Sequence, residues 1–216
     1  CWDGEVREEK ITICENDVLI EVDLAKGQKT GYFLDQKDNR RVAGSLSQGK
    51  RVLDTFTHTG AFGLNCVKGG AKEVISVDIS PEARAVAEEN AANLGLADRI
   101  EFFTGDLLEP VKDRKFSAIL SNPPYIPEKD IEGLQAEVRC KEPYGALSGG
   151  ADGLDFYRRL CSEAPALLED NGFMAFEVGI GQAAKVAELA LENPLIKRTE
   201  ILKDLAGIER VVIAYM

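Results

Sequence analysis

The sequence predicts an α/β fold in which a doubly wound, mostly parallel sheet of seven strands follows a small β-hairpin. Three observations predict it. From residue 51 onward, short apolar runs typical of buried strands alternate with helical patterns. The chain has 216 residues, 44% of them hydrophobic, which is enough for one large core. The last two strands follow one another without a helix, which indicates an antiparallel strand at one edge of the sheet.

The first 50 residues are predicted to form a separate unit. Residues 11–14 and 18–22 have strand-like patterns and flank the turn-prone residues Glu15, Asn16 and Asp17, which is a hairpin signal. A polar connector then leads into a helix that ends near Gly49. We therefore expect two domains, residues 1–49 with the hairpin and connecting helix and residues 50–216 with the sheet.

Turn and cap residues mark most of the later elements. Gly69 and Gly70 end the first helix of the sheet domain, and Ser80-Pro81 caps and opens the next helix. The predicted strands cover residues 51–56, 74–77, 99–103, 116–121, 173–178, 196–203 and 208–215. The predicted helices cover residues 60–69, 80–93, 154–168 and 181–192, and residues 122–153 are irregular and rich in proline and glycine.

Composition excludes several classes of protein. No stretch approaches the roughly 20 apolar residues of a membrane-spanning helix. The net charge of −11 argues against a nonspecific nucleic-acid binder. One stretch is nevertheless basic, and we expect it to be a solvated helix face, with an RNA contact as the alternative. Its basic residues are Lys26, Lys29, Lys37, Arg40, Arg41, Lys50 and Arg51.

Cysteine and histidine usage narrows the chemistry. The five cysteines are scattered and include no CxxC pair, which indicates reduced thiols in the cytoplasm rather than disulfides or a metal site. The N-terminal residues show no signal peptide, and a chain that does not begin with Met is consistent with a missing upstream domain. His58 is the single histidine, so most histidine-centred catalysis is excluded. We expect His58 on a solvent-facing turn.

Ligands of a doubly wound sheet bind at the carboxyl ends of its strands, so the residues that follow each strand are the candidates. Gly60 and Gly63 follow the first strand and would let the chain pass close to a ligand, although tight turning and packing could also explain them. Asp78 ends the second strand, where a carboxylate can accept both hydroxyls of a ribose. Asp106 follows the third strand and could meet an adenine amino group. Each aspartate could instead be a cap or turn residue.

The fourth strand runs into Asn122-Pro123-Pro124-Tyr125, the most specific feature of the chain. The two prolines fix the backbone and remove two donors, so carbonyl groups are held pointing outward. The Asn122 and Pro123 carbonyls could accept hydrogen bonds from one planar NH2 group, while Tyr125 supplies a flat face. This pattern predicts a site that orients a planar nitrogen for attack on an electrophile.

At these residues the chain resembles class I S-adenosylmethionine-dependent methyltransferases, which implies a Rossmann-like sheet and S-adenosyl-L-methionine as cofactor, with S-adenosyl-L-homocysteine as product. Residues 107–216 resemble the HemK/PrmC family, which methylates the glutamine of release factors. The similar segments are residues 121–160, EVGIGQ at 177–182 and KDLAGIER at 203–210. In that family Phe56 and His58 would be glycines.

Residues 20–105 instead resemble bacterial 23S rRNA cytosine-C5 methyltransferases. The similar segments are GQKTGYFLDQKDNR at 27–40 and VLDTFTHTGAFGLNCVKGGAKEVISVDIS at 52–80. That family has an aspartate in place of Asn122 and uses a nucleophilic cysteine, and no cysteine closely follows Pro124. The two resemblances together suggest a chimera of related scaffolds joined near residues 105–116.

The resemblance implies the roles of particular residues. The cofactor-binding residues would be Gln28, Thr30, Phe33, Asp35, Asp54, Phe56, Thr59, Gly60, Asp78, Ile79, Asp106, Leu107 and Asn122. The catalytic residues would be Asn122, Pro123 and Tyr125, with no metal. The predicted function is transfer of a methyl group to a planar amide or amino nitrogen of a release factor. An rRNA cytosine-C5 methyltransferase and a cofactor-binding scaffold with little activity remain the alternatives.

Overall fold

The structure, a computed structural model, describes residues 10–23, 32–139 and 142–216. Two antiparallel strands, β1 (Lys10–Glu15) and β2 (Val18–Asp23), form the predicted hairpin. Its loop residues, Asn16 and Asp17, both have positive φ, 52° and 61°. Two such residues form a turn whose twist matches that of the paired strands, so the predicted hairpin is confirmed. Glu15, predicted in the turn, is instead the last residue of β1 and pairs with Val18.

The main sheet has seven strands in the order β5-β4-β3-β6-β7-β9-β8. Its strands are β3 (Arg51–Thr55), β4 (Glu73–Asp78), β5 (Ile100–Thr104), β6 (Phe116–Ser121), β7 (Leu168–Glu177), β8 (Arg198–Lys203) and β9 (Glu209–Tyr215). Strands β3 to β7 pair in parallel, and β9 is antiparallel to both of its neighbours. The predicted doubly wound α/β sheet is confirmed.

The antiparallel strand lies one position in from the edge, not at the edge as the sequence suggested. A short connection at residues 204–208 joins β8 to β9, and it is too short for a parallel crossover. Val212, Ile213 and Ala214 of β9 are all buried and need neighbours on both sides, whereas β8 is largely exposed. The chain therefore places β9 inside and leaves β8 as the outer strand.

Helices cover both faces of the sheet. They are α1 (Lys37–Leu46), α2 (Ala61–Lys68), α3 (Pro81–Asn93), α4 (Glu128–Ile131), α5 (Ala136–Arg139), α6 (Tyr144–Leu147), α7 (Asp155–Glu163) and α8 (Ala183–Leu191). Successive strand residues point to opposite faces. Thus Leu53 packs in a core with α7 and α8, and Val52 packs in a second core with α2 and the hairpin.

Helix α7 ends at Glu163, five residues before the predicted end. Pro165 explains the difference, because a proline lacks the N–H that continues an α-helix. A short 3₁₀ turn over Ala164–Leu167 follows, and β7 begins at Leu168 instead of residue 173. One-turn helices interrupt the predicted irregular stretch at 122–153, namely α4, α5 and α6.

Arg40 is buried, so the expectation that the basic stretch is a solvated helix face is wrong for this residue. Its side chain is only 2% exposed, and its Nε and Nη2 atoms donate to the two carboxylate oxygens of Glu15 at 2.6 and 2.9 Å. Nη2 also donates to the Phe33 carbonyl at 2.8 Å. Burial is tolerated because Glu15 offsets the charge. Lys26 and Lys29 of this stretch lie outside the described residues.

The hairpin and α1 belong to the core that covers one face of the sheet. Val18, Ile20 and Val22 of β2 are buried there together with Ala43 of α1. The division into domains at residues 49 and 50 stays a prediction. In the part of the chain that the structure describes, no helix is long and apolar enough to cross a membrane.

Candidate active site

The carboxyl ends of four neighbouring strands meet at one edge of the sheet. Thr55, the last residue of β3, pairs with Val77 on one side and with Ser121 on the other. Asp78 and Asn122 therefore follow at the same level, on the two sides of β3. They lie on strands two spacings apart, about 10 Å. The sequence prediction that these two side chains flank one site is consistent with this register.

The loop after β3, residues 56–60, is held in an unusual backbone conformation, and we call it the cofactor loop. Phe56, His58 and Gly60 have φ values of 57°, 50° and 79°. Glycine adopts positive φ without strain, but phenylalanine and histidine do not. Phe56 and His58 are the two residues that stand at glycine positions of the resembled family. Such strain persists only where the surroundings enforce it, and it concentrates at functional sites.

Two ring contacts hold these strained residues. Phe56 packs edge-to-face on Phe156 with ring centroids 5.1 Å apart, and His58 packs in the same manner on Phe33, also at 5.1 Å. His58 is therefore half-buried, contrary to the expected solvent-facing turn. Burial lowers the pKa of His58, which favours its neutral form.

Asp54 is buried beneath the cofactor loop. Its Oδ2 accepts hydrogen bonds from Thr57 Oγ1 at 2.7 Å and from the Gly63 N–H at 3.1 Å. Burial raises the pKa of Asp54 to about 7, although both donors oppose the rise. Gly63 itself has a packing role, since a Cβ there would lie 2.8 Å from Ser76 Oγ. Of the two glycines, only Gly60 has the positive φ that a close turn requires.

The Asp78 carboxylate is oriented by two backbone donors. The N–H of His58 donates to Oδ2 at 2.9 Å, and the N–H of Ser80 donates to Oδ1 at 3.0 Å. Each carboxylate oxygen can accept a further hydrogen bond. Asp78 can therefore accept a diol while it holds the cofactor loop to the end of β4.

Asp106, which follows β5, is not the free carboxylate that the predicted adenine contact assumes. Its carboxylate is ion-paired with Arg159, at 3.1 Å for Oδ1 and 2.7 Å for Oδ2. An adenine amino group that bound Asp106 would therefore share its carboxylate with Arg159. The next residue, Leu107, is buried with a φ of 51°, and Ile79 after β4 is 66% exposed. Ile79 therefore offers apolar surface at this edge, whereas the Leu107 side chain packs in the core.

A cavity of about 650 Å³ opens beside these strand ends. Four of the predicted site residues line it: Asp35, Asp54, Phe56 and Asn122. Other described members of the predicted set lie outside its lining, namely Phe33, Thr59, Gly60, Asp78, Ile79, Asp106, Leu107, Pro123 and Tyr125. Gln28 and Thr30 lie outside the described residues.

The sequence prediction missed Glu177 and Arg210, which also line the cavity. Arg210 Nη2 donates to Glu177 Oε1 at 3.2 Å, and the Arg210 guanidinium lies 5.9 Å from the ring centroid of Tyr125. Both residues belong to segments that carried the family resemblance, EVGIGQ and KDLAGIER. That position in a motif was the only sequence signal for them.

We call residues 122–125 the acceptor loop. Pro123 and Pro124 are buried, while Asn122 and Tyr125 are half-buried. Within the described ranges, the side-chain amide of Asn122 has no hydrogen-bond partner. Its carbonyl is therefore available to an incoming donor. Burial raises the pKa of Tyr125, so its hydroxyl stays protonated at neutral pH.

Comparison with known families identifies the cofactor chemistry. Residues 2–134 match a family described as "S-adenosylmethionine-dependent methyltransferase". The chain belongs to this methyltransferase family. Over the described residues, no cluster of three or more His, Cys, Asp or Glu side chains is suited to hold a metal ion.

The methyltransferase chain is also similar to curated release factor glutamine methyltransferases. It is 43% identical over 172 residues to that of Clostridium acetobutylicum, and the match covers 78% of this chain and 60% of the relative. It is 50% identical over 140 residues to that of Geobacter sulfurreducens, covering 65% of this chain and 48% of the relative. The chain thus spans about 60% of the length of the first of these relatives.

These matches bear on the hypothesis of a chimera. A match over 78% of the chain must run across residues 105–116, where we expected two scaffolds to join. One family of relatives therefore covers both sides of the expected junction. The matches give no support to the chimera.

Solved structures show the same methyltransferase fold. A Streptococcus mutans protein described as a SAM-dependent methyltransferase superposes with a TM-score of 0.76 at 20% identity, covering 100% of this chain and 57% of that one. SMU.776, a methyltransferase solved with SAH, superposes with a TM-score of 0.75 at 20% identity, covering 99% of this chain and 58% of that one. At this identity the likeness concerns the fold alone.

The residues at the strand ends fit S-adenosylmethionine. Asp78 presents two backbone-oriented oxygens that suit the hydroxyls of a ribose. Ile79 offers exposed apolar surface that suits an adenine. Gly60 opens the eight-residue helix α2, whose N-terminus suits a carboxylate. The groups that follow β3 and β4 are thus chemically suited to the carboxylate, the ribose and the adenine of this cofactor.

Proposed function

We propose that this methyltransferase transfers a methyl group from S-adenosylmethionine to the side-chain amide nitrogen of a glutamine in a peptide-chain release factor. The observation that carries the proposal is the acceptor loop, whose unpartnered Asn122 amide lies at the level of Asp78 across β3. The names of the curated relatives support the choice of substrate.

The acceptor loop orients the glutamine amide. Asn122 Oδ1 and the Pro123 carbonyl oxygen accept hydrogen bonds from its two N–H groups, and the Tyr125 ring covers one face. When bound, S-adenosylmethionine supplies the electrophilic methyl group. The two carbonyl dipoles would stabilise the positive charge that builds on the nitrogen as it gains the methyl group, and the nitrogen would then release one of its two protons to solvent. Fixed orientation of the amide lowers the barrier further.

The other predicted residues would hold the cofactor. Asp78 would bind the ribose, with Asp106, Ile79 and Leu107 near the adenine. Thr59, Gly60 and the segment that includes Phe33 and Asp35 would lie near the methionine end. Since release factors act on ribosomes in the cytoplasm, the proposal agrees with the location that the cysteine pattern predicts.

A methylation assay tests the function. The purified chain is mixed with methyl-labelled S-adenosylmethionine and a release factor, and the tryptic peptides are analysed by mass spectrometry. We expect one added methyl group on the target glutamine and none on a release factor in which that glutamine is alanine. Tight binding of the cofactor without transfer would contradict the proposal and favour the scaffold alternative.

An RNA cytosine-C5 methyltransferase needs a reactive thiolate beside the acceptor site. Cys66 and Cys161 are buried, and burial raises the pKa of each thiol to about 12. Such thiols are poor nucleophiles. Cys14 is exposed on the hairpin strand β1, and Cys1 and Cys140 lie outside the described residues. A covalent adduct with 5-fluorocytosine RNA would favour this alternative.

A further inference from the structure

The acceptor loop cannot be fixed by hydrogen bonds of its own backbone alone. Pro123 and Pro124 supply no N–H group, so two consecutive residues have no donor. Yet the geometry proposed for the amide nitrogen requires both the Asn122 and Pro123 carbonyls to hold one orientation. Groups from other segments must therefore fix the loop.

Gln182, the N-cap residue of α8, provides such a group at the C-terminal end of the acceptor loop. Its Nε2 donates to the Tyr125 carbonyl oxygen at 2.9 Å and to the Gly153 carbonyl oxygen at 3.4 Å. Its Oε1 accepts from the Gly179 N–H at 2.9 Å. One side-chain amide thus joins the acceptor loop, the turn before α8 and the segment around Gly153.

Two glycines leave the space that this arrangement needs. A Cβ at Gly153 would lie 2.4 Å from the Tyr125 carbonyl oxygen and 2.6 Å from Gln182 Nε2. A Cβ at Gly179 would lie 2.7 Å from Gln182 Oε1 and 3.0 Å from Tyr125 Cδ2. Real Cβ atoms do not approach other atoms so closely, so side chains at these positions would displace the loop or Gln182.

The residue after the acceptor loop is fixed by the segment that contains Gly149. The N–H of Ile126 donates to the Leu147 carbonyl at 3.0 Å, and the Ile126 carbonyl accepts from the N–H of Gly149 at 3.0 Å. Tyr125 therefore stands between a paired residue and the proline pair. Gln182 is the side chain that fixes its carbonyl.

We propose that Gln182 is a positioning residue for methyl transfer, which holds the Tyr125 carbonyl and thereby the acceptor groups of Asn122 and Pro123. The inference rests on the proposed function. Gln182 lies outside the set of residues predicted to bind the cofactor, so its removal should affect the chemical step and not the binding of S-adenosylmethionine.

The test compares Gln182→Glu, which keeps an acceptor for Gly179 but loses the donor to Tyr125, with Gln182→Met, which loses both. The control is Gln48→Glu, an equal charge change at an exposed residue near the opposite end of β3. We expect kcat on the release factor to fall by about ten- to a hundredfold in both Gln182 variants. Cofactor Kd should stay near the wild-type value, and both variants should remain folded.

Hydrogen exchange gives a readout that does not need turnover. Amides of a peptide spanning residues 125–128 should exchange faster in both Gln182 variants than in the wild type and in Gln48→Glu. Wild-type kcat and wild-type exchange in either folded variant would overturn the inference, as would equal losses of kcat and cofactor affinity. If the wild type does not methylate the release factor, the proposed function fails, and exchange alone decides the role of Gln182.

Discussion

The backbone N–H of His58 donates a hydrogen bond of 2.9 Å to Oδ2 of Asp78. This bond ties the cofactor loop to the end of β4. The other oxygen, Oδ1, accepts from the Ser80 N–H at the start of α3. One carboxylate therefore fixes both the loop and the start of the helix.

Asp78→Asn should weaken binding of S-adenosylmethionine by tenfold or more. Asparagine has a single side-chain oxygen, so one of the two backbone N–H groups loses its acceptor, and a hydrogen bond to a charged group is worth about 1.5–3 kcal/mol. Titration calorimetry measures the change in Kd. Asp98→Asn, a change at an exposed residue of the turn before β5, is the control. Equal affinities in the two variants would show that Asp78 does not bind the cofactor.

Asn122→Ala should reduce methyl transfer severely and leave cofactor affinity within a few-fold of the wild type. The side-chain carbonyl that orients the acceptor nitrogen is lost, and removal of one such group lowers kcat by about a hundred- to a thousandfold. Single-turnover kinetics and calorimetry measure the two effects separately. Asn93→Ala, at the exposed end of α3, is the control. A parallel loss of affinity and turnover would assign Asn122 to cofactor binding instead.

Phe56→Gly should be more stable than Phe56→Ala by about 1 kcal/mol, because only the alanine keeps a Cβ in the left-handed region. Both variants lose the ring contact with Phe156, so their difference isolates the backbone strain at a φ of 57°. Urea unfolding measures it. At Phe102, inside strand β5, the alanine variant should be the more stable of the pair. If the alanine variant were more stable than the glycine variant at Phe56 as well as at Phe102, backbone strain at Phe56 would be refuted.

The free energy of unfolding should fall as the pH rises from about 4 to about 7, through the titration of Asp54. Burial raises the pKa of Asp54 from 3.8 to about 7, so the folded protein keeps a proton that the unfolded chain releases in this window. Above about 7 the effect levels off. Asp54→Asn cannot titrate, and its oxygen can still accept from Thr57 and Gly63.

Urea unfolding between pH 4 and pH 8 tests this prediction. The stability of Asp54→Asn relative to the wild type should increase with pH. Asp113→Asn, at an exposed position, should follow the wild-type curve. Parallel curves for the wild type and Asp54→Asn would mean that the carboxyl group of Asp54 titrates below this range.

Local sequence patterns determined most of the fold. Alternation of strand and helix patterns, the Asn16-Asp17 turn and the Ser80-Pro81 cap are local signals, and the structure confirms the elements that they predict. Asp78 and Asn122 were predicted as site residues because each lies at the end of a predicted strand. Parallel strands bring their carboxyl ends to one edge of the sheet, so the residues that follow the strands are expected at that edge.

Only the tertiary structure decided the rest, because each missed feature joins residues far apart in the chain. The sequence predicts Arg40 as a surface charge, but in the structure it pairs with Glu15 of the hairpin inside the core. The sequence predicts Asp106 as a free acceptor, but in the structure it is ion-paired with Arg159, 53 residues later. Gln182 has no visible role until packing brings its amide to the Tyr125 carbonyl. Local propensity reports on neighbours in sequence, whereas burial and ion pairing depend on which distant segments pack together.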